Sequence, residues 1–256
     1  MGIFLKYYSY NFLGDKMRNK LIICGIIVFL ILITLFFNKK QIFGRDIVVF
    51  KEQKLINKVI LIDPGHGGRD NGASYGNVNE DELNLKISFA LKEELETRGA
   101  IVYLTREGDK DVTQRDHNYS KQDDMYLRAL KIDSYNPDFF VSVHLNASTY
   151  TSAWGSQVFY YGKSTLGKLA AQIVHKHMKE VTGTRKNIQT GDFYILRSTG
   201  TVGILIECGF ISNGNERGQL ANSKYHKKLS IAISDGIEEY FQTEEYQNSS
   251  LLPNEP

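Results

Sequence analysis

Residues Val59–Ala73 read VILIDPGHGGRDNGA, and the fold is read outward from them. Val59, Ile60, Leu61 and Ile62 favour extended backbone, and Pro64 with Gly65 ends the strand. The glycines that follow accept positive φ and let another group come close. The loop therefore presents one imidazole, His66, at the tip of a rigid strand. In open α/β sheets, ligands sit outside the carboxyl ends of the strands. The remaining question is what His66 meets there.

Downstream, Glu80–Thr97 carries Leu83, Ile87, Leu91 and Leu95 at i, i+4 spacing, which predicts a helix. Arg98-Gly99 ends it. Ala100–Leu104 reads as a second strand, leading into Thr105-Arg106. Glu107–Asp124 is charged and without period, a surface loop on the substrate side. Met125–Ser134 reads as a short helix, closed by Asn136-Pro137-Asp138. Phe139–Val143 (FFVSV) is a third strand that delivers His144-Leu145-Asn146. Ser156–Tyr161 is a fourth, and Thr165–Val181 is a helix carrying Leu169, Ile173 and Val174. Phe193–Arg197 reads as a short strand. Val202–Ile206 is another, delivering Glu207-Cys208-Gly209. Ser223–Phe241 closes the domain as a helix, with Leu229, Ile233 and Ile237 on one face. The polar tail Thr243–Pro256 reads as disordered. Strands alternating with helices predict an α/β fold: a single domain, its mostly parallel twisted sheet flanked by helices on both faces.

Upstream, Leu21–Phe37 is an uncharged apolar run with a basic flank. As a helix it spans roughly 26 Å, just under the ~30 Å hydrocarbon core. Bulky Leu35-Phe36-Phe37 stands where a cleaved signal peptide needs small residues. An uncleaved signal anchor is the expectation, with the positive-inside rule leaning weakly towards an inner N-terminus. The division is then 1–20, a basic segment with Met17 as an alternative start; 21–37, the anchor; 38–57, a linker with a possible edge strand at Asp46–Phe50; 58–242, the catalytic domain; and 243–256, the tail.

The chain has 256 residues, 42% of them hydrophobic, enough for one α/β domain with a sizeable core. Lysine and arginine number 31 against 29 acidic residues, a net charge of +2, which leaves no footprint for nucleic acid. The two cysteines, Cys24 and Cys208, lie in different segments, so neither a disulfide nor a disulfide scaffold is expected.

His66, His144 and Glu207 stand at strand ends, and Glu80 at the start of the first helix. In an α/β sheet these share one rim. Two imidazoles and a carboxylate are the ligand set of a catalytic zinc, with one position left for water. A further carboxylate can take that water's proton. Each residue alone also has a plainer reading. His66 is a polar loop contact, His144 a satisfied buried histidine, and Glu80 a favourable charge at a helix N-terminus. Glu207 is harder to dismiss, because a carboxylate closing an apolar strand is costly without a partner or a task. His117, His175, His177 and His226 read as surface residues. The glycine loop lacks the Lys-Ser or Lys-Thr of a phosphate cradle, and no GxSxG or GxGxxG occurs. Cys208 makes a poor nucleophile, since its neighbour Glu207 raises a thiol pKa.

At these residues the chain resembles the zinc-dependent N-acetylmuramoyl-L-alanine amidases of the amidase-3 type. The resemblance runs through ordered blocks: IDPGHGGRDNGA, EDELNL, YLTR, DFFVSVHLNAS, FYILR and LIECGFISNGNE. They cover almost all of Lys58–Phe241. HLNAS followed by WGSQVFYY, with the short domain and the anchor, is most similar to the spore-cortex members. The resemblance implies one zinc ion held by His66, Glu80 and His144, with Glu82 as the alternative to Glu80, and Glu207 as catalytic residue. Asn146 orients substrate or a ligand, or is a turn residue. Gly65, Gly67 and Gly68 would let the backbone clear the metal for a bulky glycan-peptide. Thr199–Gly203 lacks a proline common in the family, and the 107–124 stretch is long. Strand and helix fill the interval between His144 and Glu207, so the autoinhibitory helix that some relatives insert there is not evident. The implied partners are peptidoglycan, the membrane through the N-terminal helix, and a possible protein activator. The implied location is the outer side of the cytoplasmic membrane, in the cell wall or the forespore intermembrane space. A zinc peptidase acting within the stem peptide and a non-catalytic wall-binding module are the competing readings.

Overall fold

The computed structural model describes residues 17–34, 53–113 and 120–250. The possible edge strand at Asp46–Phe50, His117 and the last residues of the tail lie outside them. The chain divides into two compact units, Met1–Phe50 and Lys51–Pro256. In the first, α1 (Met17–Thr34) is 18 residues long and apolar enough to cross a membrane, with none of it buried.

In the second unit, one sheet has the strand order β4 (Ile101–Leu104), β1 (Val59–Pro64), β5 (Phe139–Asn146), β8 (Gly203–Phe210), β6 (Gln157–Tyr160) and β7 (Gln189–Thr190). β4, β1, β5 and β8 run parallel, and β6 lies antiparallel on β8. A two-stranded ribbon, β2 (Ser74–Tyr75) with β3 (Val78–Asn79), carries the chain into the first helix of the domain. β1, β5 and β8 are nearly continuous apolar runs because both faces are covered.

On one face lie α2 (Glu80–Thr97), α4 (Thr165–Thr182) and α7 (Ser223–Phe241). Their aliphatic stripes, Leu83, Ile87, Leu91, Val174, Leu229, Ile233 and Ile237, pack in one cluster with Ile60, Ile62, Val141, Val143, Ile204 and Ile206. On the other face, α3 (Lys121–Ser134) and α5 (Tyr194–Ser198) supply Ile132, Ile195 and Leu196 to a smaller cluster with Leu61, Phe140 and Leu205. A short α6 (Gly214–Leu220) precedes α7, and α8 (Glu244–Ser250) follows it.

Three expectations are corrected. Phe193–Arg197 is not a strand: Phe193 is the N-cap of α5, whose Ile195 and Leu196 are buried. The apolar run suits either backbone, and the second core selects the helix. The tail is not disordered over Glu244–Ser250, where α8 brings Tyr246 into the core. The Tyr246 hydroxyl lies 3.0 Å from Lys58 Nζ and 3.2 Å from Asp138 Oδ1. Helix α3 begins at Lys121 rather than Met125, capped by the Ser120 hydroxyl, which accepts from Asp123 N. Its buried polar residues Asp124 and Arg128 hide the apolar period.

Candidate active site

From β1 the chain crosses to β4 at the edge, then returns past β1 to β5. The carboxyl ends of β1 and β5 therefore flank the point where the strand order reverses, the place where open α/β sheets bind ligands. A cleft of about 340 Å³ opens there, lined by His66, Glu80, His144, Asn146 and Glu207.

His66 follows β1 with φ of 62°, a left-handed conformation that a non-glycine residue holds only under constraint. Two buried arginines supply it. Arg128 donates from Nη1 to Pro64 O at 2.8 Å and from Nη2 to His66 O. Arg106 donates to Pro64 O and Gly65 O, each at 2.9 Å, and to Asp81 O at 2.8 Å. Arg128 is held by Asp63 at 2.9 Å and Asp124 at 2.8 Å. Asp63 also accepts from Thr105 at 2.6 Å and Ser142 at 2.8 Å. Burial alone would raise the Asp63 pKa; the Arg128 guanidinium and the two hydroxyls outweigh it and hold the carboxyl below the usual range.

His144 and Glu207 sit inside β5 and β8 as direct register partners, with an irregularity after His144, rather than beyond the strand ends. Glu80 opens α2. Its Oε1 lies 3.2 Å from both His66 Nε2 and His144 Nδ1 and accepts from Leu145 N at 3.0 Å. Its Oε2 accepts from Ala73 N at 2.9 Å. Burial opposes ionisation of Glu80, but the two imidazoles win and hold its pKa far below the ordinary carboxylate value. The alternative, Glu82, instead pairs with Lys86 at 3.5 Å, half-exposed.

His66, Glu80 and His144 each offer one donor atom, all within 4.8 Å of one another, and could hold a metal ion. The donor chemistry fits zinc. A second observation agrees: Glu207 Oε2 is buried and has no hydrogen-bond partner. Burial pushes the Glu207 carboxyl up to about 7; His144 pulls it down and Glu80 adds to the rise.

The glycines do a different job from the one expected. A Cβ on Gly65 would stand 2.2 Å from the His144 ring, so this position lets the imidazole lie on the backbone. Gly67 and Gly68 instead face Arg106 and the Lys110-Asp111 backbone, where a Cβ would meet atoms at 2.8 and 2.5 Å. They pack the loop rather than clear space for substrate.

Cys208 is buried, and burial with Glu207 beside it raises its thiol pKa far above the ordinary value. Among the other histidines, His226 is buried rather than on the surface, its Nε2 against Leu220 O. His177 pairs with Glu239 at 2.7 Å, away from the cleft. Arg106 and Arg128 escape a reading of the sequence. The one signal for Arg106 is its place at the end of the YLTR block.

A parallel sheet carrying two imidazoles and a carboxylate at its switch point, with a second, unpartnered carboxylate facing them, has the layout of a metal-dependent hydrolase. The chain belongs to the N-acetylmuramoyl-L-alanine amidase family, whose pattern it matches over residues 60–239. It is 33% identical over 215 residues to the germination-specific N-acetylmuramoyl-L-alanine amidase of Bacillus subtilis, covering 82% of this chain and 91% of that one. Its fold is similar to the CwlD amidase of Clostridioides difficile, solved in complex with the GerS lipoprotein: TM-score 0.69, 32% identity, 72% of this chain and 98% of that one. It is also similar to the catalytic domain of the amidase CwlV from Bacillus (Paenibacillus) polymyxa, with TM-score 0.63, 28% identity and 72% and 98% coverage.

Proposed function

We propose that this chain hydrolyses the amide between the lactyl group of N-acetylmuramic acid and L-alanine in peptidoglycan, in maturation of the spore cortex. The observation that carries the reading is the buried, unpartnered Oε2 of Glu207 in the cleft that the His66–Glu80–His144 cluster lines. The germination-specific relative and the CwlD neighbour support the cortex as the substrate.

His66, Glu80 and His144 would hold one zinc ion. Bound there, zinc supplies the positive charge that acidifies a water and polarises the scissile carbonyl. Glu207 takes the proton of the attacking water and returns it to the leaving L-alanine nitrogen. Burial raises the Glu207 carboxyl above the ordinary carboxylate range, which favours its taking up a proton and giving it back. Asn146, on the cleft wall, orients the substrate. Helix α1 anchors the chain in the cytoplasmic membrane, with residues 58–242 working on the outer side. A protein partner is part of this reading, because the C. difficile neighbour was solved with a lipoprotein.

Mass analysis of products from purified cortex peptidoglycan, with zinc measured in the same preparation, tests the assignment. Free muramic lactyl groups and new L-alanine amino ends are expected. New D-alanine ends would instead assign a peptidase acting within the stem.

A further inference from the structure

We propose that Lys121 sets substrate choice in the cleft: its ammonium takes the free α-carboxylate of the stem-peptide residue that follows L-alanine. This rests on the amidase reading above. Helix α3 turns one stripe towards the cleft, Lys121, Asp124, Met125 and Arg128, at the i, i+3, i+4, i+7 spacing of one helix face. Asp124 and Arg128 lie buried and are matched to each other at 2.8 Å, and Arg128 also to Asp63 at 2.9 Å. Lys121 heads the stripe, on the turn that the Ser120 cap adds to α3, and its side chain is 67% exposed. Among the described residues that line the cleft, it is the one lysine or arginine besides Arg128. Phe193, Tyr194 and Ile195 of α5 bring no charge to the wall.

The ammonium stands within reach of the reacting bond. Lys121 Nζ lies 3.3 Å from Asp70 Oδ2. The same oxygen is 2.9 Å from His66 Nδ1, and His66 Nε2 faces Glu80 Oε1 at 3.2 Å. One carboxylate and one imidazole ring thus separate Lys121 from the metal-ligand cluster. In peptidoglycan the residue after L-alanine is a D-glutamyl unit linked onward through its side chain, so its α-carboxylate is free or capped as an amide. In an extended stem that group lies roughly 7 Å beyond the scissile carbonyl, two residue lengths, which is a comparable span. Asp70 Oδ1 accepts from Gly72 N at 3.1 Å, which keeps Asp70 on its own loop. An ammonium has three donors, so a substrate carboxylate can join Asp70 on Lys121 without displacing it. Substrate lying over the cleft excludes water and strengthens this ion pair beyond its worth on an open surface.

Two muropeptides that differ only in a carboxylate or a carboxamide at this position decide it. The kcat and KM for both are measured with the zinc-loaded full-length chain in detergent. The wild type should favour the carboxylate about tenfold in kcat/KM, through KM, as expected for one hydrogen bond to a charged group. Added salt should narrow the preference. Lys121→Met should bring the ratio close to unity, Lys121→Glu should invert it, and Lys121→Arg should keep most of it. A folding defect slows both substrates alike and leaves the ratio untouched. Equal use of the two substrates by the wild type overturns the proposal, as does an unchanged ratio in Lys121→Met. The Kd of each muropeptide for zinc-loaded Glu207→Gln, with and without Lys121→Met, gives the same comparison without turnover. Cleavage within the stem would overturn the amidase reading, while the Kd ratio would still decide on Lys121.

Discussion

Against α2, α4 and α7 the sheet is covered by aliphatic side chains, among them Leu83, Ile87 and Leu91 of α2 and Ile233 and Ile237 of α7. Against α3 and α5 the apolar cluster is small, and at the rim beside it lie the buried charges Asp63, Arg106, Asp124 and Arg128. The first side gains stability from area removed from water, at about 1.5–3 kcal/mol for each fully buried aliphatic side chain. The second uses buried charge to hold backbone carbonyls of the Pro64-Gly65-His66 turn. Buried ion pairs add little net stability over apolar packing. Their use here is geometric: they fix where His66 stands. Substitutions on the apolar side should therefore cost stability alone, whereas those on the charged side should cost activity as well.

The largest effect is expected at Glu207, where the separation should be cleanest. Glu207→Gln keeps the shape of the side chain and removes the carboxylate proposed as the base. Muropeptide release should fall by about 10²–10⁴-fold. The thermal midpoint should not fall, because the wild-type carboxylate is buried with one oxygen unpartnered. Release at the wild-type rate would remove Glu207 from the mechanism.

Arg128→Met tests whether the charged side does both jobs. Removing one member of a buried pair leaves Asp63 and Asp124 uncompensated, and the loss should be about 3–5 kcal/mol. The remaining folded protein should also turn over more slowly, since Arg128 no longer holds the His66 carbonyl. The pH dependence carries a definite sign. The folded pKa of Asp63 lies below its unfolded value, so its contribution is present above the unfolded carboxylate pKa and is lost as pH falls through the folded one. Denaturant titrations from neutral to acid pH should show that loss in the wild type and a smaller one in Arg128→Met.

Ile233→Ala probes the apolar side. Ile233 is fully buried in the large cluster, and its truncation should cost about 2–5 kcal/mol. Per folded molecule, kcat should stay at the wild-type value. A large fall in kcat without a fall in stability would break the division between the two sides.

The same division explains what the chain reveals without its structure. The apolar stripes of α2 and α7 have a clear helical period, and α7 runs over the expected Ser223–Phe241. His66, His144 and Glu207 are legible because each is a polar residue set against an apolar strand. Glu80 is not, since an acidic residue at a helix start has an ordinary explanation, and its place comes from the EDELNL block. Arg106 and Arg128 are hidden for a related reason: charged residues in polar stretches look solvated until their partners, far apart in the chain, are brought together. Helix α5 resembles a strand in sequence because residues 193–196 are as apolar as one, and only the cluster around Phe140 and Leu205 distinguishes the two.

The smallest effect is expected at Tyr246, on the far side from the cleft, in the tail whose polar sequence suggests disorder. Its hydroxyl bridges Lys58 and Asp138, at the start of β1 and just before β5. Its ring packs on Phe241 and Tyr240, with centroids 4.8 and 5.2 Å away. Tyr246→Phe keeps the ring and deletes the hydroxyl, so only the hydrogen bonds are lost. The cost should be about 0.5–1.5 kcal/mol, read as a small drop in the denaturation midpoint with the slope unchanged. Muropeptide release should not change, because these contacts lie at the opposite ends of the strands that carry His66 and His144. No change in midpoint would mean that the hydroxyl bridge adds nothing and that α8 is held by the packing of its ring alone.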